Sequence, residues 1–194
     1  MRLKALPRLA DIRHRMMPPT LTTMQLEDLI EQCTIESAVG LFLSYSVCLE
    51  CADETESKII SDIELCGIVG FVGREMSGSL LLAATKEPLN DSNRVAAKRR
   101  DWMAELSNQL FGRIKNRLLR RGLQLICTPP AVIGGDHLVA FTTRNQCQPI
   151  VLRSPTGGRV CVWMDYTMSN ELPFALTDGE EGARIPHEGE VLLF

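Results

Sequence analysis

Between Asp101 and Gly122 apolar residues recur at the spacing of one helical face. With about 100° between successive residues, Met103, Leu106, Leu110, Ile114 and Leu118 fall on a single side, which must face the sheet. Asp101, Glu105, Asn108, Gly112 and Lys115 gather on the opposite flank, so an acid and an amide one turn apart point outward together. The stretch DWMAELSNQLFGRIKNRLLRRG is therefore predicted as one long amphipathic helix. Asn90, Asp91 and Ser92 are available as caps upstream and Gly122 as its stop.

An earlier segment carries a second helical pattern. After a threonine cap, Leu26, Leu29, Ile30, Cys33, Ala38, Leu41 and Phe42 keep the spacing of a broad buried face, predicting a helix over Leu26–Tyr45. Between the two helices, IELCGIVGFVG and SLLLAAT are apolar runs joined by Arg74-Glu75-Met76-Ser77-Gly78, the pattern of a β-hairpin. Gly67, Gly70 and Gly73 fall inside or at the end of the first run and precede no Lys-Ser/Thr, so they indicate bulges or close packing rather than a phosphate loop. After the long helix, LQLICTPPAVIGG, HLVAFTT, QPIVLRS and GRVCVWMDYTM read as three to four further strands, mainly antiparallel. Helix, hairpin, long helix and strands follow one another without βαβ alternation. The expected fold is α+β, two main helices packed on a largely antiparallel sheet. Residues 1–21 form an N-terminal extension interrupted by Pro7, Pro18 and Pro19, residues 22–168 the domain, and residues 169–194 a tail rich in Glu, Gly and Pro. A repeat between the two helices would set Glu36 against Glu105 but Val39 against Asn108, leaving the first copy without the polar constellation.

Composition narrows the function. The 194 residues with 45% hydrophobic content can fill a core, and a net charge of −3 gives no global attraction to nucleic acid or an anionic membrane. The arginines around the long helix lack the aromatic interleaving of a nucleic-acid surface, so no nucleic-acid partner is expected. No apolar run reaches the ~18 residues of a membrane span, and the arginine-rich start lacks the hydrophobic centre of a signal peptide. Seven cysteines, an odd count, suggest reduced, mostly buried thiols in the cytoplasm. Cys48 and Cys51 have the CxxC spacing of a zinc knuckle or redox site, but no second pair or nearby histidine follows and the segment reads as helical. His14, His137 and His187 sit far apart, so neither a catalytic triad nor an HExxH motif is present and no metal is expected.

The wording of the long helix is more specific than its periodicity. DWMAELSNQLFG, followed some twenty residues later by CTPPAVIGG, resembles the signature of the CheC/CheX family of chemotaxis phosphatases: Asp or Ser, three residues, Glu, two residues, Asn, and a distal Pro. Asp101, Glu105 and Asn108 match it here, with Pro129 or Pro130 as the proline and Gly112 as the glycine that often follows. The likeness covers roughly residues 22–168. It departs from the family at Ala104, where a glycine is common, and at Phe111, which is bulkier than usual beside Gly112 and would hinder a partner's approach. With one motif copy, the chain resembles the single-site CheX-like branch rather than the two-site CheC branch.

The resemblance implies hydrolysis of phosphoaspartate on a CheY-type receiver domain. Glu105 and Asn108 would be the catalytic pair, and Asp101, Gly112 and Lys115 would belong to the docking surface. The chain itself would need no cofactor, Mg²⁺ being held by the receiver, and a homodimer would be expected. The alternative implied is a noncatalytic CheX-like module for receiver binding or dimerisation.

Overall fold

The computed structural model describes residues 23–52, 60–91, 98–140 and 149–169. Among these, α1 (Thr23–Leu43) leads through a turn to a two-residue strand, β1 (Glu50–Cys51). The hairpin β2 (Ile60–Gly73) and β3 (Met76–Ala84) follows, then a short helix α2 (Lys86–Asp91) and the long α3 (Arg99–Leu119). Four strands complete the domain: β4 (Leu125–Cys127), β5 (Ala131–Ala140), β6 (Ile150–Arg153) and β7 (Arg159–Met168). The sheet runs β1-β6-β7-β3-β2-β4, with β5 also on β2, and all its pairings are antiparallel.

Strand alternation divides the apolar residues between two faces. Leu65, Val69 and Phe71 of β2, Leu80 and Leu82 of β3, and Val160 and Val162 of β7 join the inner faces of α1 and α3 in the main core. The intervening positions Cys66, Ala83, Cys161 and Trp163 build a smaller cluster on the other side. Cys66 lies opposite Ala83, and Ala83 opposite Cys161, so the small cluster runs straight across three strands. Each fully buried Leu, Ile or Phe contributes about 1.5–3 kcal/mol relative to exposure, so the main core dominates stability.

The α+β architecture with two main helices on an antiparallel sheet is as expected, but α2 is a third helix. Its sequence KEPLND sets Pro88 in the first turn, where a missing N–H costs nothing. Its Leu89 is fully buried in the main core next to the buried Pro88, and two adjacent residues are too few to show a period. Asn90 and Asp91 belong to α2 rather than capping the long helix, and Ser92 lies outside the described residues. α3 starts at Arg99 instead, next to Lys98, which makes no side-chain capping bond. Gly122 does end it: at φ 85° it takes the left-handed turn, and Leu123 N returns to Leu118 O at 3.0 Å.

Two readings of local segments need correction. The CxxC segment is not helical, because α1 stops at Leu43 and Ser46 turns at φ 63°. Glu50 and Cys51 then pair with Arg153 and Leu152 at the sheet's edge. AVIGG and HLV are one strand, β5, which follows β2 through two register shifts near Ile63. There Asp62 and His137 both adopt positive φ, 62° and 56°, and their side chains meet at 3.1 Å. That hydrogen bond is the main cause holding the Asp62 carboxyl below its ordinary pKa. Phe141–Thr143, the extension and residues 170–194 fall outside the described residues. No described helix is long and apolar enough to cross a membrane.

Candidate functional site on the long helix

One strand position fixes how α3 lies on the sheet. Gly67 of β2 sits beneath the helix, and a Cβ there would collide with the Ser107 hydroxyl. Ser107, fully buried, turns that hydroxyl back to Met103 O at 2.8 Å, so the polar group stays satisfied inside the core. The glycine thus lets helix and strand approach closely, the reason anticipated for it from sequence. Around this point Met103, Leu106, Leu110, Ile114 and Leu118 are buried as the periodicity requires, and Trp102 and Phe111 widen the buried stripe. Phe111 is fully buried and stacks on Phe71, ring centroids 5.3 Å apart. It points into the core, so the expected hindrance beside Gly112 does not arise.

With that flank committed to the core, the opposite one must face outward. Asp101, Glu105 and Asn108 are exposed, and Gly112 and Lys115 are half-buried. A Cβ added at Gly112 would meet nothing within 4 Å, so the helix backbone is open to an approaching surface there. Nothing among the described residues hydrogen-bonds the Asn108 side chain. Glu105 differs: its Oε1 accepts a bond from Gln109 Nε2 at 2.6 Å. Gln109 Oε1 in turn accepts from the Tyr45 hydroxyl at 3.0 Å. The Tyr45 ring meets Trp102 edge to face, centroids 4.6 Å apart. Sequence reasoning did not single out Gln109 or Tyr45. The four-residue spacing from Glu105 could have marked Gln109, whereas Tyr45 reaches it only through the tertiary fold.

The proline segment lies along β2. Thr128 N donates to Gly70 O at 2.9 Å and Gly70 N donates to Thr128 Oγ1 at 3.0 Å, extending the β4 pairing by one residue. Pro129 and Pro130 then break the ladder, since neither has an N–H to give, and β5 resumes it. Pro129 is exposed and Pro130 half-buried.

The arrangement on α3 is a protruding strip. A cavity of about 480 Å³ lies elsewhere, lined by residues including Asp62, Glu64, Lys86, His137 and Arg159, and none of the strip residues borders it. Chemically, the strip presents an exposed carboxylate and an exposed carboxamide outside that cavity. Two nearby arginines are engaged in ion pairs, Arg99 with Glu64 and Arg117 with Glu36.

The described thiols fall into three classes of exposure. Cys33, Cys66 and Cys161 are buried, and burial pushes the Cys66 thiol up to about 11 and the Cys161 thiol up to about 12. Cys127 is half-buried, and Cys48 and Cys51 are exposed, Cys51 on the edge strand β1 and Cys48 in the segment before it, so the expectation of mostly buried thiols holds for only part of the described set. No group of three or more His, Cys, Asp or Glu able to hold a metal occurs among the described residues.

No protein-family model matches the sequence, and no curated protein sequence matches it. Solved structures do match the fold. The chemotaxis protein CheX from Vibrio vulnificus superposes with a TM-score of 0.61 at 15% identity, covering 71% of this chain and 99% of that one. A CheX from Desulfovibrio desulfuricans gives 0.60 at 15% identity, covering 72% and 99%. The CheX–CheY–BeF3–Mg complex from Borrelia burgdorferi gives 0.54 at 16% identity, covering 70% and 96%. Helices and sheet of residues 23–169 thus have the architecture of the CheX and CheC chemotaxis proteins, and the chain has a CheC/CheX-family fold.

Proposed function

We propose that the protein binds a CheY-type receiver domain and hydrolyses the phosphoaspartate it carries. The observation behind this reading is the strip on α3: Glu105 and Asn108 stand exposed side by side, with open backbone at Gly112, on a helix whose other flank is locked in the core. The fold is one that, in Borrelia burgdorferi, has been captured with CheY, BeF3 and Mg²⁺.

The chemistry asks little of the phosphatase. An acyl phosphate is already activated, and the receiver brings the phosphorylated aspartate, the Mg²⁺ and a lysine, so the visiting chain needs neither nucleophile nor metal. What remains is to place water in line with the bond that breaks. A carboxamide suits this: its carbonyl oxygen accepts a hydrogen bond from the water, and its NH₂ donates to a phosphoryl oxygen. The water oxygen bonds to phosphorus, the bond from phosphorus to the aspartyl oxygen breaks, and inorganic phosphate leaves the free carboxylate behind. In this reading Asn108 enters the receiver's site and orients the water. Glu105 pairs with the receiver's lysine as a charge-assisted anchor. Asp101 supports orientation, with Gly112 and Lys115 along the docked surface. The exposed Asn108 amide and the inward-facing Phe111 both favour insertion.

A time course of phospho-receiver decay tests the reading, with and without the protein, with binding to the receiver measured separately. Acceleration by the wild type and none by Asn108→Ala is the expected result. Equal decay despite measurable binding would leave a noncatalytic receiver-binding module instead.

A further inference from the structure

Glu105 stands at the outer end of a hydrogen-bond chain that has only one consistent direction. An ionised carboxylate can only accept, so Gln109 must turn its Nε2 toward it, as the 2.6 Å contact has it. Gln109 Oε1 then faces Tyr45, whose hydroxyl must donate, and does so at 3.0 Å. Reversing the amide would set two acceptors against each other at Glu105. The inner end is anchored twice over. The Tyr45 ring lies edge-on, at 87°, to Trp102, which is buried on the inner flank of α3. Its backbone belongs to the turn closing α1, with Tyr45 N bonded to Phe42 O at 3.0 Å. The chain therefore runs from the core, across from one helix to the other, and ends on the candidate docking carboxylate.

We propose that Gln109 and Tyr45 are positioning residues that set the Glu105 carboxylate before any partner arrives. Oε1 is held and Oε2 is left to the incoming cation. An exposed glutamate loses the freedom of three side-chain torsions when it binds, and fixing them in the free protein removes that loss from association. The donor's chemistry matters as much as its place. A neutral amide orients the carboxylate without cancelling its charge, whereas an arginine at the same distance would satisfy it and compete with the receiver's lysine. Asn108, by contrast, makes no side-chain hydrogen bond among the described residues, as suits a group that must adapt to a water and a phosphoryl oxygen. The partner's identity in this inference rests on the receiver-phosphatase reading, but the preset carboxylate is a property of the free chain.

The test uses the full chain with Gln109→Leu, which keeps helix propensity and approximate size, and Tyr45→Phe, which keeps the ring on Trp102. In the free protein, three-bond couplings should show one dominant Glu105 rotamer in the wild type and averaging in both variants. Equal averaging in all three would overturn the proposal whatever the partner does. Affinity for a CheY-type receiver charged with beryllofluoride and Mg²⁺ should fall about tenfold in Gln109→Leu, the size expected for the loss of one orienting bond to a charged group. Tyr45→Phe should weaken binding less, and should add nothing in the Gln109→Leu background, because both act through one chain. In the phosphatase assay the protein concentration giving half-maximal acceleration should rise by the same factor, with the saturating rate within about twofold. Additive losses, or a lower saturating rate at unchanged half-saturation, would overturn the positioning role. If the wild type binds but does not accelerate decay, the phosphatase reading fails while binding still decides this one.

Discussion

α1 and α3 pack on the same face of the sheet and carry related wording, Glu36-Ser-Ala-Val-Gly-Leu-Phe against Glu105-Leu-Ser-Asn-Gln-Leu-Phe. Their inner positions agree: Leu41 and Phe42 on one helix and Leu110 and Phe111 on the other are all fully buried. Their outer positions do not. Glu36 accepts from Gln32 at 3.0 Å, as Glu105 does from Gln109, but it is also paired with Arg117 of the neighbouring helix. Where α3 exposes Asn108, α1 has Val39, which packs against the edge of the core. The same acid at the same step of a helix is thus tied to an arginine in one place, and in the other is held only by a neutral amide among the described residues. What separates a structural glutamate from a candidate docking one is whether its charge is already neutralised, and whether an amide stands next to it.

If the inner faces are equivalent, breaking either should cost a similar amount. Phe42→Ala and Phe111→Ala should each destabilise the domain by about 3–5 kcal/mol, measured by denaturant unfolding. Phe111→Ala should lie at the upper end, because it also loses its stack on Phe71, worth about 0.5–1.5 kcal/mol. A cost below about 1 kcal/mol at either site would show that the two helices are not equivalent supports.

The outer faces are compared more sharply by writing one into the other. Asn108→Val gives α3 the residue of α1, and should slow receiver dephosphorylation about 100-fold, the scale of losing a positioned reacting group. Stability should move by no more than about 0.5 kcal/mol, because the position is exposed. Full activity in that variant would mean the amide does not position the water, and the contrast between the helices would carry no functional meaning.

These differences were unequally legible in the sequence. Periodicity sufficed for α1, α3, the hairpin and the outward pairing of Glu105 with Asn108, because a long element buried on one face prints its period directly. In α2 the buried residues Pro88 and Leu89 are adjacent within a six-residue helix and print none. Cys48 and Cys51 read as helical because α1's apolar spacing runs on toward them, while the edge pairing to Arg153 and Leu152, a hundred residues away, left no local trace. Phe111 was misjudged for a related reason. Its sequence neighbour Gly112 is open, but one step along a helix is about 100° of rotation, enough to put Phe111 on Phe71. The Tyr45–Gln109–Glu105 chain joins residues whose meeting depends on how α1 and α3 cross, which no single segment encodes.

The smallest expected effect concerns the tie that sets the helices apart. Glu36 and Arg117 keep 44% and 41% of their side-chain surface exposed, so solvent screens most of their attraction. A double-mutant cycle with Glu36→Gln and Arg117→Met should give a coupling of only about 0.2–1 kcal/mol, falling as salt is raised. Receiver dephosphorylation should be unchanged in either single variant, since neither residue lies on the α3 strip. An activity loss on removing Arg117 would mean that the helix-to-helix tie, and not only the outward strip, sets the geometry of Glu105. In that case α1 would act as part of the site's support, and the two helices would be coupled rather than merely similar.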